Sequence, residues 1–512
     1  MHKSIVLRSC FADLAALELL CDRMVMQGEV RTAMVFSATD EAALQGAKRA
    51  GFALPQSDLT KLDLVACAHA ADEEKVSAAL AKIRSAAALR PERDTGGRFT
   101  NPAFALAACP EADLAAVGVR SEYAAAVAEQ CLASGVGVLM QSDIPFEQEQ
   151  ALRRIAKQKQ LPFFGSGAAG AMLCHRALGI CPQLPEGSAA VVAGSFTAAL
   201  TLAFLLQRGG AGVRHLLPVG RRDCFAQCGG STTSLCLDAL AADSGTEAVA
   251  LVYKAGDFEL MGQLTEQAKA LGKPLYLYGT GQLKSGAYAE TLGFEPTLAK
   301  LAHRMSRDMG GEGLTFLNDA QAAALAAPYK RKLQPQQKYL RGFFLSDTMC
   351  GEIAAPLLES LEAVYSNRPV RAIHLQKDLQ FVKGHTVIDY GDSALTPTCR
   401  SAMQAQLGRN RRIITESHNA SAALILTDWY GAEGCDEQYL RHLCRCIHQA
   451  IDTAKQQGRT LAVGCVVHSG SGSPVDIATT EQLLRGAGAE VFFSADDAAL
   501  FAKHLLCAEE QI

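Results

Sequence analysis

The chain has 512 residues, is 49% hydrophobic and 20% charged, and sets 49 Lys and Arg against 53 Asp and Glu. That length exceeds a single core and implies two to four domains, while a balanced, scattered charge argues against a nucleic-acid surface. No apolar run is long enough to span a bilayer, and the N-terminal residues run into an amphipathic helix without a cleavage site, so neither a membrane span nor a signal peptide is expected.

KSIVL at 3–7 reads as a first strand and Cys10 to Met26 as a helix. TAMVFSA (32–38) and LDLVACAH (62–69) are further strands, each followed by a helix, and Asp72 caps the second of these. The polar, Pro- and Gly-bearing stretch 90–104 is an exposed loop. LAAVGVR (114–120), VGVLMQS (136–142) and LPFFG (161–165) continue the alternation, with helices starting near Glu122 and Glu147. Strand–helix alternation predicts a doubly wound, parallel, Rossmann-like domain over 1–165.

A second α/β domain is expected over 166–330. Its strands are 189–193, 213–219, 247–253 and 274–278, and its helices 196–208, 231–241 and 257–271. The charged, proline-bearing stretch around 331–340 reads as a linker. A third α/β domain follows over 341–512, with strands at 341–347, 422–431, 461–467 and 490–494 and a strand or turn edge at 387–391. The fold class is therefore α/β, three doubly wound domains with mainly parallel sheets. The 17 cysteines sit mostly inside apolar runs, with no C-x-x-C pair, which fits free thiols in a reducing cytoplasm.

The strongest functional signal lies in 189–240. A buried strand ends at Gly194-Ser195, where Ser195 or Thr197 can cap the next helix, and a helix start favours an anion. The next strand ends in Gly220-Arg221-Arg222-Asp223. Two arginines beside a glycine suit a carboxylate or phosphate, with Asp223 orienting one of them; a solvated surface turn is the plainer alternative. Gly229 and Gly230, at the following helix start, belong to the same anion cradle. Gly470-Ser471-Gly472-Ser473 follows a strand directly and can form a second anion nest or a plain surface loop. Asp347, Asp389, Asp392 and Asp428 lie near strand ends, where capping is the commoner role than metal binding. His442 and Cys446 are one helical turn apart but lack further ligands, so no metal site is expected.

VVAGSFTAALTLAF (191–204), LPVGRRDCFAQCGGSTTSLCLDAL (217–240), AVALVYK and GKPLYLY resemble the second domain of the succinyl-CoA synthetase α-subunit superfamily, most closely its FdrA-like branch. SCFADLAALELL, GVRSEYAAAVAEQCLASGVGVLMQSD, FFGSGAAGAMLC, RGFFLSDTMCGEIAAPLL and VIDYGD extend the likeness over nearly the whole chain. The resemblance implies a CoA-binding-like Rossmann domain followed by two flavodoxin-like synthetase-type domains, the last of the ligase-CoA type.

Ligases of the superfamily pass phosphate through a histidine in a glycine-rich loop. The matching segment here, GTGQLKSGAYAETLG (279–293), offers Lys284, Ser285 and Tyr288 but no histidine, and His303 lies beyond it. The loop at Ser9-Cys10-Phe11 also lacks the glycine-rich CoA signature, and GSGAAG at 165–170 replaces a more polar motif. FdrA-like proteins resemble subunits of a carbamoyltransferase of ureide and purine breakdown, which exchanges phosphate with oxalurate to give carbamoyl phosphate and oxamate. The resemblance thus implies a cytoplasmic hetero-oligomer with partner subunits, phosphate or carbamoyl phosphate as substrate and no certain cofactor. In it Arg221, Arg222 and Asp223 would act on the reacting anion. CoA and ATP belong only to the alternative, an NDP-forming acyl-CoA synthetase subunit; a non-catalytic scaffold subunit is the third reading.

Overall fold

The structure, a computed structural model, describes residues 1–8, 14–54, 59–60, 63–88, 102–119, 121–254, 256–279, 293–358, 360–368, 373–376, 384–391, 402–432 and 435–507. The chain divides into two compact units, one made of 1–98 with 393–408 and the other of 99–392 with 409–512.

The smaller unit holds β1 (His2–Leu7), β2 (Thr32–Ser37) and β3 (Leu64–His69). β3 lies between β1 and β2 and runs antiparallel to both. This departs from the parallel sheet expected of strand–helix alternation over 1–165. The local pattern encodes strands and helices but not where the third strand inserts; by entering the gap between two parallel neighbours, β3 reverses the pairing. One face packs Leu17, Cys21, Met24, Val76 and Ile83 from its helices against Ala66 and Ala68.

Among its described residues the larger unit contains three sheets. β4 (Leu114–Val117), β5 (Gly137–Met140) and β6 (Phe163–Phe164) form a short parallel sheet. The next comprises β7 (Gly170–Leu173), β8 (Arg176–Gly179), β9 (Ala189–Ala193), β10 (Val213–Pro218), β11 (Ala248–Tyr253) and β12 (Leu275–Gly279). Its order is β12-β11-β9-β10-β7-β8, parallel from β12 to β10 and antiparallel in the β7–β8 hairpin. That hairpin was not anticipated from the sequence. The third sheet comprises β13 (Tyr339–Phe344), β14 (Val364–Ser366), β15 (His374–Leu375), β16 (His385–Asp389), β17 (Ala422–Tyr430), β18 (Ala462–His468) and β19 (Glu490–Phe492). Its order is β15-β14-β16-β13-β17-β18-β19, parallel throughout.

The α/β class with mainly parallel sheets thus stands. β9, β17 and β18 are buried at every residue, as strands covered on both faces should be. The stretch expected as a linker is packed down: Gln337 is buried and donates to the carbonyls of Ala422 and Thr460 at 2.9 and 2.7 Å. Among the described residues no helix is long and apolar enough to cross a membrane.

Candidate functional site

Parallel strands deliver the residues that follow them to one edge, and in open α/β sheets that carboxyl edge is where ligands bind. In the larger unit it collects Asp143 after β5, Gly194 after β9, Gly220 and Arg221 after β10, Lys254 after β11 and Asp347 after β13. Gly194, Gly220, Arg221 and Lys254 line one cavity of about 10 Å³, also walled by Cys224, Thr233 and Tyr253. The two glycine turns expected to meet therefore do so.

Close backbone approach explains both glycines. Gly220 has φ +97°, and a Cβ there would lie 3.0 Å from the Gly165 backbone. A Cβ on Gly194 would stand 2.7 Å from Cβ of Lys254. Ser195 caps the helix Phe196–Arg208 by accepting from Ala198 N at 3.4 Å, and the Thr197 hydroxyl lies 3.5 Å from that of Ser195.

The three charged residues of the turn part company. Arg221 donates from Nη2 to Asp143 at 2.5 Å, while its Nε is buried without a hydrogen-bond partner among the described residues. Burial alone would lower the guanidinium pKa; Asp143 first, then Asp347 and Asp389, raise it instead. Arg222 donates to Ile144 O at 3.0 Å and to Glu149 at 2.8 Å, with its guanidinium 5.7 Å from the Phe146 ring centre.

Asp223 is fully buried and accepts from Arg153 (2.5 Å), Thr232 N (3.2 Å), Thr233 N (2.9 Å) and Thr233 Oγ1 (2.6 Å). It orients neither neighbouring arginine through any described hydrogen bond, contrary to the expectation from the sequence. Its physical task is to satisfy the start of the helix Ser231–Ala242, whose N-cap residue Gly230 has no side chain to do so. Gly229 and Gly230, at φ +68° and +62°, form the turn that brings Asp223 there. This helix start thus already has an anion, its own.

Arg153 completes the network through Glu149 (3.1 and 2.9 Å), the Val219 carbonyl and Thr232 Oγ1 (both 3.1 Å). The sequence carried a signal for it, Glu149 and Arg153 at i,i+4 on one helix, that was not read.

Lys254, also missed, donates to Asp347 at 2.5 Å. Burial would raise the Asp347 pKa, but Lys254 first, then Arg221 and Arg368, hold it below the ordinary aspartate value. Asp347 opens the helix Asp347–Ala354, capped by Ser346. Lys254, in the loop after β11, thus reaches the start of a helix that belongs to the other large sheet. A short apolar strand ending in lysine gave no cue to this pairing.

Gly470 to Ser473 lie elsewhere. Ser471 accepts from Gln207 at 2.6 Å, Ser473 accepts from Gly470 N at 3.1 Å, and a Cβ on Gly472 would fall on the Gln183 carbonyl. Gln207 sits at the far end of the helix that Ser195 starts, about 16 Å along its axis, so this loop packs a helix end and does not join Arg221.

Of the carboxylates considered for metal, Asp428 pairs with Arg409 at 2.7 Å and Asp389 accepts from Gly391 N at 2.8 Å, while Asp392 lies outside the described residues. Asn410 lies 2.9 Å from His442 Nδ1, and the Cys446 sulfur 3.9 Å from Nε2. Among the described residues no group of three or more His, Cys, Asp or Glu can hold a metal ion. Cys10, Lys284, Ser285 and Tyr288 lie outside the described residues. His303 Nδ1 is 3.0 Å from both the carbonyl and the N–H of Leu314, and its ring lies 5.7 Å from Phe316.

Fold and site together define an α/β protein with a small cleft at the carboxyl edges of parallel sheets, lined by the two cations Arg221 and Lys254. No family model matches the chain. It is similar to the uncharacterized protein YahF of Escherichia coli (strain K12), 27% identical over 406 residues, 78% of each chain. Solved structures with similarity include a dinucleotide-forming acetyl-coenzyme A synthetase 1 of Ca. Korarchaeum cryptofilum in its apo form. That match has 13% identity, covers 77% of this chain and 82% of that one, and has a TM-score of 0.29. Another is the ATP citrate lyase of Methanothrix soehngenii in complex with citrate and coenzyme A: 16% identity, 40% of this chain, 36% of that one, TM-score 0.30.

Proposed function

We propose that this chain is a subunit of a cytoplasmic enzyme that transfers an acyl-type group between small anions, with phosphate as one reactant. The observation that carries the reading is the meeting of Gly194, Gly220, Arg221 and Lys254 at one carboxyl edge. Acyl and carbamoyl transfer gather negative charge on an oxygen as the carbonyl is attacked. Fixed cations at a site that excludes most water stabilise that charge without reorganising. Holding phosphate beside the acyl donor supplies a further share of the acceleration through positioning.

Within this class we favour exchange of phosphate with a carbamoyl compound such as oxalurate, giving carbamoyl phosphate and oxamate, as the FdrA-like resemblance implies. The segment 279–293 has no histidine to carry a phosphoryl group, and direct attack by phosphate needs none. The second reading is an NDP-forming acyl-CoA synthetase subunit; the third is a scaffold that lends its loops to a partner's site.

The test is to purify the chain with its native partner subunits and measure carbamoyl phosphate formed from oxalurate and phosphate. Arg221→Ala and Lys254→Met should each abolish it while the complex still assembles. Thioester formed from CoA, ATP and a carboxylate would favour the second reading. Full turnover in both variants would remove the site from the reaction.

A further inference from the structure

The cleft has room for about one water, and its cations are already engaged, Arg221 with Asp143 and Lys254 with Asp347. These two contacts are not alike. Asp143 belongs to the loop after β5, close in space to the Arg221 turn. Asp347 reaches across from the other large sheet, its side chain 30% exposed against 10% for Lys254, and it also lies within electrostatic reach of Arg221 and Arg368.

We propose that the Asp347 carboxylate stands in for the substrate oxyanion on Lys254, and that ligand binding exchanges one for the other, making Asp347 the residue that sets which anions enter. This rests on the anion-transfer reading above and adds the selecting residue to it.

Three features suit Asp347 to the part. Its carboxylate has the geometry of the group it would mimic, an oxygen taking a lysine proton donor at 2.5 Å. It has somewhere to go: on leaving Lys254 it remains in the first turn of its own helix, where the dipole favours an anion, with Arg368 still in reach. Its departure takes one anion away from Lys254, beside Arg221, whose buried Nε lacks a partner among the described residues.

Selectivity follows from charge. A neutral ligand cannot displace Asp347. A single carboxylate exchanges one monoanion for another and gains little. A dianion such as phosphate engages both cations, so it wins the exchange. Competition from a tethered group is a recognised route to specificity, at some cost in affinity.

The experiment is calorimetric titration of the full chain with inorganic phosphate and with acetate. Asp347→Asn removes the competing charge from Lys254, so phosphate should bind about tenfold tighter. The preference for phosphate over acetate should also narrow. Asp347→Ser, which keeps a helix-start acceptor, should do the same and guards against a folding defect in the first variant. Adding Lys254→Met to either should abolish the gain. Phosphate bound by the wild type and unchanged or weaker in both variants overturns the exchange while leaving the anion site standing. Phosphate bound by none of the proteins overturns both.

Discussion

Within one turn, Arg222 and Asp223 close a network with Glu149, Arg153, Thr232 and Thr233, whereas Arg221, one residue earlier, sits at the cleft with an Nε that has no partner among the described residues. The network's carboxylates are fully buried, and both oxygens of Glu149 and of Asp223 accept hydrogen bonds. Arg221 and Asp143 are 30% and 25% exposed. The same residue types therefore do opposite work a few ångströms apart. Around buried Arg153 and its fully buried carboxylates an arginine fastens helices, and Arg222, itself 25% exposed, joins them through Glu149; where one donor is left over beside a cavity, an arginine can receive a ligand.

The largest expected effect comes from opening the closed half. Arg153 is 2% exposed and holds Glu149 and Asp223 together. Arg153→Met leaves two buried carboxylates without their main cation and should cost about 3–5 kcal/mol, read as a lowered urea midpoint. Asp223→Asn keeps the shape and one acceptor but loses the ion pair, so about 2–3 kcal/mol is expected. A loss below about 1 kcal/mol in either would erase the contrast drawn within the turn.

A third prediction sets charge pairing against burial alone. His385 and His468 are buried in the sheet β13–β19, and desolvation lowers their pKa values to about 4 and about 3, Arg341 assisting at His385. Both bind a proton less readily folded than unfolded, where about 6.5 is ordinary. The unfolded chain therefore takes up protons first. Their contribution is complete above about pH 6.5 and is lost as pH falls toward the folded values. At pH 5.5 each should cost on the order of 1 kcal/mol, seen as a lower urea midpoint than at pH 7.5. His468→Gln should flatten that slope; an unchanged slope in this variant would mean that another group titrates.

What could be read from the sequence follows the range of each interaction. β9 and the helix Phe196–Arg208 were located to the residue, because a β-branched run, a glycine turn, a serine cap and a double glycine are all local. The convergence of the Gly194 and Gly220 turns was legible too, since parallel strands fix the edge where their loops emerge. The hidden parts are long-range. Lys254 and Asp347 are 93 residues apart and Arg153 and Asp223 are 70 apart, and nothing in either neighbourhood names its partner. Strand direction in β1–β3 was hidden for the same reason. The Gly470–Ser473 loop shows the converse, a sound local motif whose position at the distal end of a helix gives it packing work.

The smallest change in stability is expected at Arg221, and it carries the most meaning. Its ion pair with Asp143 is partly solvated, and such pairs contribute about 0–1 kcal/mol. Arg221→Ala should therefore unfold within about 1 kcal/mol of the wild type. Phosphate binding, by contrast, should be lost, because the guanidinium offers directed donors that Lys254 alone, a single ammonium, does not replace. Arg222→Gln provides the reciprocal variant: it weakens the hold on Glu149 and lowers the urea midpoint, yet should leave the phosphate affinity of the folded protein intact. If Arg222→Gln abolished binding while Arg221→Ala preserved it, the ligand would belong on the network side of the turn, and the division between fastening and receiving arginines would reverse.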